Sequence, residues 1–262
     1  MNTSAYWSDQ LEGFVRYFER HTPWLPQAIA GASAARIEHA QRLAGTLFPP
    51  EYRAFLQTLG ETRQGGLGPF LEHMKFGMDA LEEFYSQPGL RPPRHAVFLW
   101  TYEFDAPYDI FLETQGGERD VRGLLQAGWS VDEDTGALLE EEPTLMPLDG
   151  SLLRFLYTEA FLKLRNPLLP HSLQLRDRRH AEESVAAQLR LRNGLEETAA
   201  RFGFTAVPYA DGNQVLYDRV DASLMLYAQP GANVVYVSSA DERELGLLGE
   251  VLRDKLDLAL WR

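Results

Sequence analysis

A chain of 262 residues with 45% hydrophobic side chains can bury one large core or two smaller ones, which excludes disorder as its main state. It has no cysteine, so disulfides, thiolate metal sites and a cysteine nucleophile are excluded, and a reducing, cytoplasmic setting is expected. The formal net charge of −13 argues against non-specific binding to nucleic acid or docking on anionic lipid and leaves a basic protein partner open.

Residues 1–9 contain neither a basic stretch nor an apolar stretch, so no signal peptide is expected. Leu11, Phe14, Val15 and Phe18 recur at helical spacing and predict a first amphipathic helix over 8–20. Pro23 and Pro26 break it. A second helix is predicted over 33–44, with Ile37, Ala40 and Leu43 inward and Gly45 supplying a left-handed C-cap. Pro49-Pro50 starts a third helix, whose apolar stripe is Tyr52, Phe55, Leu56 and Leu59, and Gly60 stops it. After a Gly-rich loop, 60–68, a short helix is predicted over 79–85.

Residues 96–102 are β-branched and aromatic and read as a strand, with 108–113 as its partner. Residues 121–125 are a candidate third strand, 132–136 read as a turn, and further short strands fit up to Leu148. Ser151 caps a helix that carries Leu152, Phe155, Leu156 and Phe161. Pro167 and Pro170 mark 166–177 as a linker or packed crossover. A helical stretch over 178–202, interrupted at Asn193-Gly194, precedes four strand-like runs, 204–209, 214–219, 224–228 and 234–238. Asp211-Gly212-Asn213 is a hairpin turn between the first two. A last helix covers 241–256. The longest charge-free run, 222–240, is long enough to suggest a membrane span, but Pro230-Gly231 at its middle favours two strands around a turn.

Runs of helix followed by runs of strand define an α+β protein rather than a doubly wound sheet. The expected division is a first domain over 1–165, a basic linker or crossover over 166–180, and a smaller, separately packed α+β unit over 181–262 made of helix, four strands and helix.

The spacings of known catalytic and metal sites are missing. The six histidines form no His-x-x-x-His pair. The Gly60–Gly68 loop follows a helix and is followed by no Lys-Ser/Thr, unlike a phosphate loop. Counted from Asp132, an EF-hand would need a ligand at Gly136 and a glutamate at Pro143. No Gly-x-Ser-x-Gly elbow occurs. The expectation is a protein with no catalytic residues, no metal and no cofactor.

The charge is concentrated. Residues 99–150 hold 13 acidic and 2 basic side chains, a net −11. A field of one sign can steer a cationic partner and raise its on-rate by roughly 10–1000-fold at low salt. The expected binding face draws on Glu103, Asp105, Asp109, Glu113, Asp132, Glu133 and Asp134. Trp100, Tyr102, Tyr108 and Trp129 are the expected aromatic anchors beside it. The alternative place for Trp100 and Trp129 is the core.

Residues 36–60 resemble the opening of the SUKH superfamily, the Smi/Knr-type domain. Glu38, Leu47, Pro49, Tyr52, Phe55, Leu56 and Gly60 occupy the positions of that pattern. Phe48 is inserted beside Pro49, and Leu59-Gly60 stands for the family's Asn-Gly. The resemblance implies a non-catalytic domain, extending to about Arg165, with N-terminal helices packed on a curved, mainly antiparallel sheet. It further implies an immunity protein that neutralises a cognate bacterial toxin, often a nuclease, by stoichiometric binding. The alternative it carries is a regulatory or scaffold module that binds an endogenous protein.

Overall fold

The computed structural model describes residues 3–63, 67, 70–103, 108–115, 122–128, 144–148, 150–178, 185–209, 214–229 and 232–261. The chain is α+β and divides into two compact units, Met1–Phe155 and Leu156–Arg262.

The first unit begins with α1 (Thr3–Glu19), the short α2 (Leu25–Ala28), α3 (Ala34–Ala44) and α4 (Pro50–Leu59). Leu11, Phe14 and Phe18 are buried on α1, as their spacing requires. Ser33 caps α3 by accepting from the Arg36 N–H at 3.3 Å, and Gly45 ends it at φ 66°, where a Cβ would be strained. Tyr52, Phe55, Leu56 and Leu59 are all fully buried on α4. Leu43, expected inward, is exposed, and its place on α3 goes to Gln41. The Gln41 side-chain oxygen accepts from the Phe48 N–H at 3.0 Å and from Arg53 at 3.1 Å, so burial of a polar group is satisfied there. Leu47 is 79% exposed and Phe48 is buried, so the residue inserted beside Pro49 is the one that enters the core.

The sheet of this unit follows: β1 (Met74–Phe76), then α5 (Gly77–Ser86), then β2 (Ala96–Tyr102), β3 (Tyr108–Glu113), β4 (Leu124–Gly128) and β5 (Thr144–Leu148). All neighbours are antiparallel, in the order β1-β2-β3-β4-β5. Strands β2 and β3 have the expected bounds. β4 starts three residues later than the candidate at 121–125, and β1 was not foreseen because three residues carry too little alternation to read. The turn expected at 132–136 lies outside the described residues.

Helix α6 (Leu152–Ala160) carries the boundary between the units, ten residues before the expected end at Arg165. Residues after Phe155 are tied into the second unit: Thr158 Oγ1 donates to Gln214 at 2.9 Å and Tyr157 packs on Tyr209. A π-helical turn (Phe161–Arg165) and a 3-10 turn (Asn166–Leu168) continue the chain. Arg165 Nε then donates to Asp218 Oδ1 at 2.8 Å, with both side chains buried.

The second unit contains β6 (His171–Asp177), α7 (Val185–Arg201), β7 (Thr205–Ala206), β8 (Gln214–Arg219), β9 (Ala222–Gln229), β10 (Ala232–Ser239), α8 (Glu242–Leu256) and β11 (Leu258–Leu260). The segment read as a linker or packed crossover contains an inner strand, β6: the sheet order is β11-β6-β10-β9-β8-β7, all antiparallel. The alternation Leu173-Gln174-Leu175-Arg176 carries that strand, with Leu175 opposite Val235 and Leu173 opposite Val237. Pro167 and Pro170 lie before it and do not interrupt its ladder.

The charge-free run is the β9–β10 hairpin, paired from Ala222↔Ser239 to Gln229↔Ala232. Helix α7 runs through Asn193-Gly194 without a break. A Cβ at Gly194 would come within 2.3 Å of Leu256 Cδ2, so this glycine permits close approach of α7 and α8 instead of ending a helix. Asp241 caps α8 by accepting from the Glu244 N–H at 2.9 Å. One core, containing Leu175, Leu195, Val235, Leu248 and Leu252, joins both helices to one face of the sheet.

Candidate partner-binding site

The sequence-predicted site rests on β2 and β3, and a bulge decides which way its residues point. Phe98 pairs with Phe111 and Trp100 pairs with Ile110, so Leu99 is the extra residue. Phe111 and Ile110 are adjacent and face opposite ways. Phe98 and Trp100, two residues apart, therefore lie on opposite faces of the sheet. The Tyr85 hydroxyl, on α5, accepts from the Phe98 N–H at 3.2 Å at this irregularity. Burial pushes the Tyr85 phenol up to about 12, against the opposing effect of that hydrogen bond.

Trp100 is 1% exposed and packs between Phe155, with ring centroids 4.8 Å apart, and Phe55 at 6.3 Å. It is a core residue, which corrects its expected place as a surface anchor. The reason is that β2 is an inner strand with aromatic side chains packed on both faces. Tyr102 and Tyr108 pair across the strands with ring centroids 5.0 Å apart, on Trp100's side of the sheet. Both are half-buried.

The carboxylates face the other way. Lys75, Thr101 and Asp109 are direct cross-strand neighbours on β1, β2 and β3. Thr101 Oγ1 donates to Asp109 Oδ1 at 2.6 Å, and Asp109 is 7% exposed. Glu103, two residues beyond Thr101, follows it on this face and is exposed. Glu113 belongs to neither group of binding residues: its Oε2 accepts from the Gly123 N–H at 3.2 Å, joining β3 to the chain entering β4. Asp105, Trp129, Asp132, Glu133 and Asp134 lie outside the described residues. The expected mixture of aromatic anchors and carboxylates on one face is therefore split across two, because side chains alternate along a strand.

A cleft of about 450 Å³ opens on the carboxylate face, between the sheet and α5. Phe98 and Phe84 line it; their rings stack at 4.4 Å and 10°. Ala80 and Glu83 line it from α5 and Gln87 from just past its end, with Lys75, Thr101 and Asp109 from the strands and Glu103 just beyond β2. Lys75 Nζ is held by Glu83, 2.6 Å from Oε2. Among the described lining residues, three carboxylates and one ammonium leave a net negative charge.

Helix α5 is locked in place from its other side. Arg36 on α3 reaches Glu61 at 2.6 Å, Asp79 at 2.5 Å and Glu82 at 3.0 Å. The hydrogen bond to Glu82, then those to Asp79 and Glu61, hold the Arg36 proton more firmly than usual, against the effect of burial.

Sequence reasoning named Glu103 and Asp109 but missed Lys75, Glu83, Phe84, Phe98 and Thr101 as their neighbours. Two signals were available. Residues 80, 83, 84 and 87 share one helix face, and 101 and 103 share one strand face. The bulge at Leu99 and the pairing of β1 leave no such pattern.

Among the described residues no group of three or more side chains could hold a metal ion, and no helix is long and apolar enough to cross a membrane. The five described histidines are exposed or half-buried. No family model matches the chain, and no curated protein and no solved structure matches it either.

Proposed function

We propose that this chain is a non-catalytic immunity protein that neutralises a cationic bacterial toxin by stoichiometric binding through its acidic first unit. The observation that carries the reading is the acidic cleft beside α5, within the unit whose residues 99–150 hold a net −11. Charge of one sign around a concave site suits recognition of an oppositely charged protein. The resemblance of residues 36–60 to the SUKH opening supports the immunity role, and the absence of cysteine suits action in the cytoplasm. A basic nuclease is the class of toxin that the charge favours.

The test is co-expression with the basic product of the adjacent gene. Rescue of growth is expected, together with a complex whose association slows by about tenfold between 20 mM and 200 mM salt as screening sets in. Loss of toxicity without a complex, or no complex at 20 mM salt, overturns the proposal. Co-purification of a housekeeping protein without protection would favour the scaffold alternative instead.

A further inference from the structure

The sheet of the second unit carries an unpaired cation on the face turned away from α7 and α8. Leu173 and Leu175 of β6 pack toward those helices, so Gln174 and Arg176 turn to the other face. Cross-strand pairing sets their neighbours. Arg176 stands between Ala259 of β11 and Val234 of β10. Gln174 stands between Tyr236 of β10 and Trp261, whose backbone N–H donates to the Gln174 carbonyl at 2.9 Å. Trp261 is 44% exposed, Gln174 is exposed, and Arg176 and Tyr236 are half-buried. The guanidinium of Arg176 lies over the Trp261 ring, 5.4 Å from its centroid. Arg165, Arg178, Arg190, Arg201 and Arg219 of the same unit each reach a carboxylate. Arg176 reaches none among the described residues, and its buried Nε has no hydrogen-bond partner there. We infer that Arg176 receives a carboxylate from an acidic segment of a protein partner, with Trp261 and Tyr236 packing against that segment. This surface stands on the second unit alone and does not depend on toxin binding by the first.

The charge names the ligand. A guanidinium seated on an indole ring is covered on one face and keeps its donors in the plane of the fork. A carboxylate accepts two of those N–H groups side by side, in charge-assisted bonds stronger than neutral ones. Trp261 holds the guanidinium in place beforehand, so less side-chain freedom is lost when the partner arrives. Tryptophan, tyrosine and arginine are also the residue types that dominate binding energy in protein interfaces. The same chemistry disfavours nucleic acid. A polyanion would meet one unpaired guanidinium on a chain of net charge −13, whereas a carboxylate brings the single charge that one fork can match.

The experiment uses the full chain, labelled with 15N, and three probes: acetyl-Leu-Glu-Leu-amide, its glutamine counterpart and octathymidylate. The glutamate peptide is expected to shift the amides of residues 174–176, 234–236 and 259–261 and the indole N–H of Trp261 saturably, with a Kd of roughly 1–10 mM. The glutamine peptide binds about fivefold or more weakly, because it brings no charge to the fork. Arg176→Lys keeps the charge, loses the planar fork and weakens the glutamate peptide several-fold. Gln174→Glu, at an exposed position that leaves Arg176 and the core in place, supplies an internal carboxylate and weakens the peptide by about tenfold. Equal binding of the two peptides, shifts located elsewhere, no shift at about 20 mM peptide, or an affinity unchanged in Gln174→Glu overturns the inference. Octathymidylate that saturates the same amides at lower concentration than the glutamate peptide overturns it in favour of nucleic acid.

Discussion

The pair Arg165–Asp218 sets a quantitative test of how the second unit is held together. Arg165 lies at the end of the π-helical turn, 2% exposed, and its Nε donates to Asp218 Oδ1 at 2.8 Å. Its Nη2 also donates to the Arg219 carbonyl at 2.7 Å and the Val220 carbonyl at 3.3 Å, at the turn between β8 and β9. Two unit charges about 4 Å apart attract by about 4 kcal/mol at an effective dielectric constant of 20. Asp218→Ala leaves the guanidinium buried without its counter-charge and is expected to cost roughly 3–5 kcal/mol. With a urea m-value of about 1–3 kcal/mol per molar, the midpoint falls by one to several molar. Arg165→Met adds an apolar side chain of similar length, and the double variant Arg165→Met/Asp218→Ala should recover most of the loss, since no charge is left stranded. The assay is urea unfolding followed by circular dichroism on all four members of the cycle. A loss below about 1 kcal/mol for Asp218→Ala, or a double variant as unstable as the sum of the singles, refutes the reasoning.

Two further outcomes follow from burial. Tyr85 and Tyr217 both have phenols pushed up to about 12 by burial, so the folded state prefers them neutral. The stability Tyr85 contributes, roughly 2–3 kcal/mol, is fully present below pH 10 and lost as pH rises from 10 to 12, and Tyr217 contributes less over the same window because solvent screens its phenol. Tyr85→Phe and Tyr217→Phe should each flatten the alkaline limb of a denaturation profile, and an unchanged limb in both would count against the assignment. Trp100→Ala opens a cavity between Phe55 and Phe155 and should destabilise by about 3–5 kcal/mol, read from urea midpoints. A loss below 1 kcal/mol would return Trp100 to the surface role.

Much of the architecture follows from local patterns. Tyr52, Phe55, Leu56 and Leu59 repeat at helical spacing after Pro50, and that spacing alone makes α4 and its buried face. Residues 96–102 and 108–113 became strands with the expected bounds because β-branched and aromatic side chains suit a pleated, covered surface. Within the segment 166–180, read as a linker or packed crossover, the strand was missed because its prolines were read ahead of its alternation, although the ladder of β6 begins only after Pro170. The candidate site was half legible. Glu103 and Asp109 came from charge alone, while the face they share with Lys75 and Glu83 depends on pairings distant in sequence.

By itself, then, the sequence determined the α+β class, the helices with a clear apolar stripe, the hairpin inside the charge-free run, and the concentration of negative charge in residues 99–150. These are properties of composition and of periods of 2 and 3.6 residues, which a chain carries before it folds. Only the tertiary structure decided that Trp100 is core, that the aromatic and acidic residues of β2 and β3 look in opposite directions, and that the second sheet takes β6 into its interior. The physical reason is that one bulged residue reverses the facing of every side chain beyond it. Neither a bulge nor the choice of strand partner is written in the local pattern of hydrophobic and polar residues.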